Sequence, residues 1–335
     1  MDGPGRVPPG SSEGYRRLLE RLHSLSRSGT KLGLERMARL LERLDHPERG
    51  RPTIHVAGSN GKGSTAAFAA SILAASGRRV GLFTSPHLIS LDERIQILQG
   101  RDVRTASPDE LMAAAARVEE VEPGFADVTF FEVMTAIGLL VFRDAQVDAL
   151  VVEAGLGARL DSTRLVEADV AVLTDLSLEH TAVLGDTLEA IAREEGAVVR
   201  SGRPLITANG PEAAMRVVDQ LAAEAEADLY RIGERIDLDA RPEGCFDLSL
   251  PDLHVDGVKP ALRGAHQGRN ALLAATAAHL LQPSLDEDTI RRGLEQTVWP
   301  GRMEIIHRPP DPPFLLDGAQ NPLAARALSR ALAVP

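Results

Sequence analysis

Apolar residues recur along this chain in two patterns, one typical of a helix face and the other typical of a buried strand. Leu34, Met37, Leu40, Leu41 and Leu44 follow the i, i+3, i+4, i+7 spacing that places side chains on one face of a helix. Shorter apolar runs, bounded by glycine or polar residues, are typical of strands inside a sheet. Together the two patterns predict helices and strands that alternate along most of the chain.

The predicted elements define an expected fold class. Helices are predicted at 14–26, 34–45, 62–76, 130–143, 188–199, 213–225, 266–281, 287–297 and 323–332. Strands are predicted at 53–57, 80–83, 149–152, 170–174, 205–207, 305–306 and 314–316. Because strands that alternate with helices form parallel sheets, we expect an α/β fold with a mostly parallel sheet and helices on both faces. Between 229 and 262, shorter runs interrupted by polar residues favour antiparallel strands.

Composition and charge narrow the class of protein. The 335 residues are 44% hydrophobic and 25% charged, which is ordinary for a globular protein. The net charge of −11 repels nucleic acid and anionic membranes, so neither is expected as a partner. The single cysteine, Cys245, excludes an intrachain disulfide and a cluster of thiolate metal ligands. No apolar run reaches the roughly 18 residues of a membrane span, so a cytoplasmic protein is expected.

The strongest local motif lies between a predicted strand and a predicted helix. Its residues are Gly58, Ser59, Asn60, Gly61, Lys62, Gly63, Ser64 and Thr65. In such a turn the backbone N–H groups converge on phosphate oxygens, the helix N-terminus favours negative charge, and a lysine reaches the outer phosphates. The spacing is shorter than the common G-x-x-x-x-G-K-[ST] pattern. Because Lys62 is one of only three lysines in an arginine-rich chain, we predict a phosphate-binding loop rather than a plain glycine-rich turn.

Three further motifs follow predicted strands, at the sheet edge where ligands of open parallel sheets bind. Ser85 comes after the second strand and offers a hydroxyl that could ligate a metal. Glu153 ends an apolar strand, and since an unpaired buried charge is costly, a nucleotide-bound magnesium ion would be a suitable partner. His180 follows the strand that ends at 174, and this position favours a functional histidine over a structural one.

The order of these motifs resembles that of the folylpolyglutamate synthase/dihydrofolate synthase family, within the Mur-ligase superfamily of ATP-dependent amide ligases. The similarity covers nearly the whole chain. It is carried by Gly33-Leu34-Glu35-Arg36, the segment 55–64, Thr84-Ser85-Pro86-His87-Leu88, Glu153 with Gly155-Leu156-Gly157, Trp299-Pro300-Gly301-Arg302 and Asp317-Gly318-Ala319-Gln320-Asn321-Pro322. The Gly-, Pro- and Ser-rich composition of residues 1–12 predicts a disordered segment. The resemblance implies a P-loop-containing ATP-binding domain at 13–298, and a linker with the start of a Rossmann-like ligase domain at 299–335.

The resemblance also implies a reaction and a set of site residues. ATP would phosphorylate a carboxylate of dihydropteroate or of a folate, and the amino group of L-glutamate would then attack the acyl phosphate. Lys62 and the loop amides would bind the phosphates, and one Mg²⁺ would be held by Ser85, Glu153 and His180. Further contacts to the nucleotide are implied for the following residues: His266, Gln267, Asn270, Arg302 and Asp317. The family is mostly monomeric.

Three features depart from the family pattern. The family continues for about a hundred residues, a small domain's length, beyond the motif at Asp317, so an incomplete second domain is expected here. Gln320 replaces the usual histidine and cannot carry its charge. Glu195 replaces a lysine that is carbamylated in the family and that ligates or positions a second magnesium. Its shorter carboxylate would reach a metal only through a water or a shift of the helix; the alternative is a solvated helix residue.

Three functions remain open from the sequence. The first is a folate-type amide ligase that acts on dihydropteroate, on a folate or on both. The second is a nucleotide-binding relic of the family without ligase activity, because the second domain is expected to be incomplete. The third, a generic P-loop ATPase or switch, is disfavoured because Glu153 with its glycine-rich loop is not a generic feature.

Overall fold

The computed structural model describes residues 12–26 and 33–333. The disordered segment expected at 1–12 lies, apart from Ser12, outside the described residues. Within these ranges the chain forms one sheet of eight strands, one of three and one of two. No helix of the described ranges combines the length and the apolar character needed to cross a bilayer.

The eight-stranded sheet forms the centre of the fold. Its strands are β1 (Thr53–Ala57), β2 (Arg79–Phe83), β3 (Ile95–Gln99), β4 (Asp102–Thr105), β5 (Ala149–Glu153), β6 (Val170–Leu173), β7 (Leu205–Thr207) and β8 (Leu229–Arg231). Their spatial order is β4-β3-β2-β5-β1-β6-β7-β8, and every pair from β2 to β8 in this order is parallel. The mostly parallel sheet expected from the sequence is therefore confirmed.

Two parts of the sheet differ from the sequence prediction. β3 pairs antiparallel with both β2 and β4, which adds an edge hairpin that the apolar pattern did not predict. β8 was expected among antiparallel strands, but it pairs parallel with β7, so this expectation is wrong. A separate antiparallel sheet does follow, formed by β9 (Asp237–Ala240), β10 (Phe246–Ser249) and β11 (His254–Val258). A three-residue strand such as β8 is too short for its pattern to reveal its partner.

Helices cover both faces of the central sheet, as expected. They are α1 (Glu13–Ser26), α2 (Glu35–Arg43), α3 (Lys62–Ala75), α4 (Pro108–Val121), α5 (Phe130–Asp144), α6 (Thr181–Leu184), α7 (Leu188–Gly196), α8 (Glu212–Glu224), α9 (His266–Leu281) and α10 (Glu287–Gln296). Successive side chains of a strand point to opposite faces. Val151 belongs to the core cluster that includes residues of α3, α9 and α10, whereas Val152 belongs to the cluster that includes residues of α1, α2, α4 and α5.

The last described elements form a small unit after the segment 299–302. β12 (Glu304–Ile306) and β13 (Phe314–Leu316) pair antiparallel, and α11 (Pro322–Leu332) follows. No residue of α11 is buried, and all three residues of β13 are exposed. The predicted strands and helix are confirmed here, while the domain boundary at 298/299 stays a prediction.

The order of the parallel strands determines where their loops meet. β2, β5, β1 and β6 are direct neighbours and run in the same direction. The segments that leave their carboxyl ends, beginning at 58, 84, 154 and 174, therefore gather at one edge of the sheet. This edge carries the motifs singled out in the sequence.

Candidate active site

A cleft at this edge brings together most of the predicted site residues. One wall consists of the loops that follow the parallel strands and the start of α9, and the other consists of residues from Asp317 to α11. The predicted residues that line the cleft are Ser59, Asn60, Gly61, Lys62, Gly63, Ser64, Ser85, Glu153, His180, His266, Gln267, Asn270, Arg302 and Asp317. Thr65 is fully buried within α3, and Gly58 and Glu195 are buried as well.

The glycine-rich loop has the backbone geometry expected for phosphate binding. Gly58 and Gly61 adopt positive φ angles of 123° and 90°, and α3 begins directly afterwards at Lys62. A Cβ atom at Gly58 would lie 2.3 Å from Oγ1 of Thr174, so the close approach of β6 requires glycine there. The N–H groups of Ser59 and Asn60 donate to the carbonyl of Asp175, at 2.9 and 3.2 Å. These contacts fasten the loop to the segment that follows β6.

Lys62 is the one described lysine in the cleft, and it is half-buried. Its Nζ donates to the carbonyl oxygens of Gly58 and Ser59, so the side chain folds back over the loop. Its charge lowers the pKa of both Glu153 and Glu195 against the larger effect of their burial. The lysine therefore contacts the loop and is close enough to both buried carboxylates to influence their pKa.

Glu153 ends β5 and is only 4% exposed. Its Oε2 accepts a hydrogen bond from the backbone N–H of Ser85 at 3.0 Å, which links the ends of β5 and β2. Burial raises the pKa of this carboxyl group, while the charges of Lys62, Arg302 and Arg94 and the bond from Ser85 oppose that effect. A buried carboxyl group with cationic side chains nearby is typical of a residue that binds a further cation or takes part in catalysis.

Asp161 holds the glycine-rich loop that follows Glu153. Its Oδ2 accepts from the N–H groups of Gly155 and Leu156 at 3.1 and 3.2 Å, and its Oδ1 accepts from the N–H of Thr163 at 3.0 Å. Burial raises the pKa of this carboxyl group, and the hydrogen bonds from Thr163, Leu156 and Gly155 act against it. The sequence analysis did not predict this positioning role of Asp161.

His180 and the start of α9 complete the first wall. His180 is exposed, has a φ of 47° and immediately precedes α6. On α9, Asn270 donates to Oε1 of Gln267 at 2.9 Å, and Gln267 is buried next to Ser64. Burial lowers the pKa of His266, which also faces the positive charge of Arg302.

The second wall is organised by Asp317. Its Oδ2 accepts from the N–H of Met303 at 3.0 Å, and its Oδ1 accepts from the N–H of Ala319 at 2.9 Å. Gly318 lies against the guanidinium group of Arg302, where a Cβ atom would approach Nη1 to 2.7 Å. Gln320, at the position of the usual histidine, also lines the cleft. These bonds hold the 317–320 segment opposite the glycine-rich loop.

Sequence reasoning missed Asp175, which lines the cleft, and the contacts of Asn321 with the lining residues Asn60 and Glu179. Asp175 lies two residues after the end of β6 and accepts a hydrogen bond from Arg269 at 2.8 Å, and burial raises its pKa. The signal was available, because an acidic residue at the end of a strand had already drawn attention to Glu153. Asn321 lay within a motif that was read, yet its contacts join residues far apart in sequence and could not be read from it.

Comparison with known proteins decides the family. No protein-family model matches the chain. The dihydrofolate synthase/folylpolyglutamate synthase of Bacillus subtilis is 35% identical over 313 residues, which cover 90% of this chain and 72% of that protein. The Escherichia coli protein of the same name is also 35% identical, and the matched region covers 93% of this chain and 70% of that protein. The chain belongs to the folylpolyglutamate synthase/dihydrofolate synthase family.

Solved structures of folylpolyglutamate synthases share the fold. The apo form of the Lacticaseibacillus casei enzyme superposes with a TM-score of 0.86 at 33% identity, covering 95% of this chain and 80% of that chain. A complex of a folylpolyglutamate synthase with AMPPCP and folate has a TM-score of 0.85. The chain spans only 38% of a longer relative from Haloferax volcanii, a probable bifunctional folylpolyglutamate synthase/dihydropteroate synthase that is 36% identical.

Proposed function

We propose that this protein is an ATP-dependent amide ligase that adds L-glutamate to dihydropteroate, to a folate or to both. The observation that carries the proposal is the meeting of Lys62, Glu153 and Arg302 in one cleft that the phosphate loop and the Asp317 segment enclose. Family membership supports the same activity, since the relatives are named for it. Binding of ATP is supported by the solved relatives described as complexes with AMPPCP or ADP.

The phosphate loop would bind and orient the nucleotide. Backbone N–H groups at the start of α3 and the charge of Lys62 would stabilise the β- and γ-phosphates. A carboxylate oxygen of the acceptor attacks the γ-phosphorus, and ADP leaves. The amino nitrogen of L-glutamate then attacks the acyl carbon, phosphate leaves, and the nitrogen loses a proton as the amide forms. Arg302, from the linker, would neutralise charge on the transferred group.

The residues present fit a magnesium ion held by Ser85, Glu153 and His180. Glu153 is a buried carboxylate that already bonds the Ser85 backbone, and the hydroxyl and the imidazole line the same cleft. Hard oxygen ligands with one nitrogen and several retained waters suit Mg²⁺. When bound, the ion would neutralise charge that develops on the phosphates.

Glu195 would assume part of the role of the carbamylated lysine of the family. Its carboxylate lies directly behind the phosphate loop, where it accepts from the N–H of Gly58 at 3.0 Å. From this position it would orient the loop and add a negative charge next to Lys62. The proposal therefore requires no carbon dioxide for activity.

The proposal includes a monomeric protein in the cytoplasm whose substrates are small molecules. The net charge of −11 supports small molecules as substrates, because it disfavours nucleic acid and anionic membranes as partners. The single cysteine supports a location where no structural disulfide is needed.

The decisive experiment measures ADP release by the full chain with ATP, Mg²⁺ and L-glutamate, with and without dihydropteroate. Release that depends on dihydropteroate supports the ligase, and a parallel reaction with a monoglutamyl folate identifies the preferred acceptor. Release that is independent of both acceptors would favour a generic ATPase. Nucleotide binding without turnover would favour a relic of the family.

A further inference from the structure

The two walls of the cleft differ in how deeply their residues are buried. The phosphate loop directly follows the central strand β1, whose residues are all buried. The opposite wall is carried by α11, which has no buried residue. Because little apolar surface fixes α11, individual polar contacts across the cleft have a large influence on its position.

One side chain makes such a contact. Nδ2 of Asn321 donates to Oδ1 of Asn60 in the phosphate loop at 2.9 Å and to Oε2 of Glu179 at 3.0 Å. Oδ1 of Asn321 accepts from the N–H of Ala324 at 2.9 Å and so caps the N-terminus of α11. One amide thus joins the helix to both the phosphate loop and the residue before His180.

The chemistry of this contact requires an amide. An asparagine side chain has two N–H donors and a carbonyl acceptor, so it can serve two acceptors and cap a helix at the same time. Serine and aspartate cap helices equally well but cannot make both donations. The amide of Asn60 is itself oriented, because its Nδ2 donates to Oγ of Ser177 at 3.1 Å and its Oδ1 consequently faces Asn321.

We propose that Asn321 is a positioning residue that clamps α11 against the phosphate loop and thereby sets how tightly the cleft holds a nucleotide. This inference rests on the proposed function, since it assumes that the cleft binds the nucleotide. Without these hydrogen bonds, a smaller fraction of the molecules has α11 held against the phosphate loop. If only that arrangement binds the nucleotide tightly, the apparent affinity is the intrinsic affinity multiplied by this fraction.

A tryptophan beside the phosphate loop can report nucleotide binding through its fluorescence. Trp299 is the only tryptophan, and it packs against the phosphate loop, where a Cβ atom at Gly63 would lie 3.1 Å from its ring. Its fluorescence should therefore change when ADP occupies the loop. Calorimetric titration of ADP in the presence of Mg²⁺ provides an independent measure of the dissociation constant.

The central variant is Asn321→Ser, which keeps the cap and removes the clamp. We expect its dissociation constant for ADP to rise about ten-fold, the effect of losing a hydrogen bond to a charged group. Its melting temperature should stay close to that of the wild type, since serine is a good N-cap. The matched control is Asp286→Ser, which exchanges the cap of α10 away from the cleft and should leave ADP binding unchanged.

A rescue experiment separates a specific contact from general damage. Asn321→Asp keeps the cap but brings a carboxylate against Glu179, so it should weaken ADP binding more than Asn321→Ser does. Adding Glu179→Gln provides an amide that can donate to the new carboxylate, and ADP binding should recover in part.

The outcomes distinguish this inference from the proposed function. If Asn321→Ser binds ADP as tightly as the wild type, the clamp is wrong, while dihydropteroate-dependent turnover would still support the ligase. The clamp is also wrong if Glu179→Gln brings no recovery to Asn321→Asp. If the wild type binds no ADP, both proposals are wrong.

Discussion

The carboxylate of Glu195 accepts a hydrogen bond from the backbone N–H of Gly58, which lies 137 residues earlier in the chain. Glu195 is 2% exposed, so the alternative of a solvated helix residue is wrong. Burial raises its pKa to about 7, and the carboxylates of Glu179 and Asp161 act in the same direction. The charge of Lys62 and the bond from Gly58 lower the pKa, but burial has the larger effect.

This raised pKa predicts a pH-dependent difference in stability between the wild type and Glu195→Gln. From the ordinary value of 4.5 up to about 7, the native state binds more protons at Glu195 than the unfolded state does. The wild type therefore loses stability at this site as the pH rises through that range. The uncharged glutamine can still accept from Gly58, so the variant should gain up to about 3 kcal/mol over the wild type by pH 8.

Denaturant unfolding of both proteins at pH 5 and pH 8 measures this difference. Comparing the two proteins cancels other titrating groups, such as His55, whose pKa burial lowers to about 3. A difference in unfolding free energy that is the same at both pH values would show that Glu195 does not titrate as described.

Turnover tests the proposed catalytic role of Glu195. Glu195→Ala should lose most ADP release, because the phosphate loop loses an acceptor for Gly58 and a negative charge beside Lys62. Activity of the wild type should not depend on added bicarbonate, whereas Glu195→Lys with bicarbonate should recover some turnover if a carbamate can form. Wild-type rates in Glu195→Ala would exclude the role.

Lys62→Ala should reduce the rate of acceptor-dependent ADP release at least 100-fold, because the positive charge proposed to stabilise the phosphates is lost. Lys62 is half-buried and begins α3, so the folded content of the variant must be checked by circular dichroism. Lys259→Ala is the matched control, since that lysine is exposed directly after β11 and lies outside the cleft. Equal rates in both variants would refute the phosphate-loop assignment.

Glu153→Gln should weaken nucleotide binding with Mg²⁺ more than binding without it. Glutamine keeps the volume and can still accept from the N–H of Ser85, so the loops should stay in place while the charge is lost. The comparison uses ADP titrations with Mg²⁺ or with EDTA. Glu48→Gln, at a buried glutamate outside the cleft, serves as the control. An equal loss under both conditions would mean that Glu153 has a structural role only.

Much of the fold could be predicted from the sequence because its signals are local. The five strands β1, β2, β5, β6 and β7 are short apolar runs, and the helices around them repeat apolar residues at helical spacing. The glycine-rich loop was readable for the same reason: Gly58 and Gly61 adopt positive φ angles, a local requirement of the backbone beside Lys62. Their close contacts with Thr174 and Asn270 were not readable, because those residues are distant in sequence. The edge hairpin and the pairing of β8 were not readable, because the direction and partner of a short strand are set only in the assembled sheet.

The sequence by itself determined the types of elements, the phosphate loop and the kinds of side chain at the sheet edge. Only the tertiary structure decided that Glu195 is buried behind Gly58 and that Asn321 reaches Asn60, 261 residues away. Backbone conformation and amphipathic pattern depend on neighbouring residues, so a sequence displays them directly. The burial of a carboxylate and the partner of an amide depend on which distant segments pack together, and it is this packing that changes a pKa or closes a cleft.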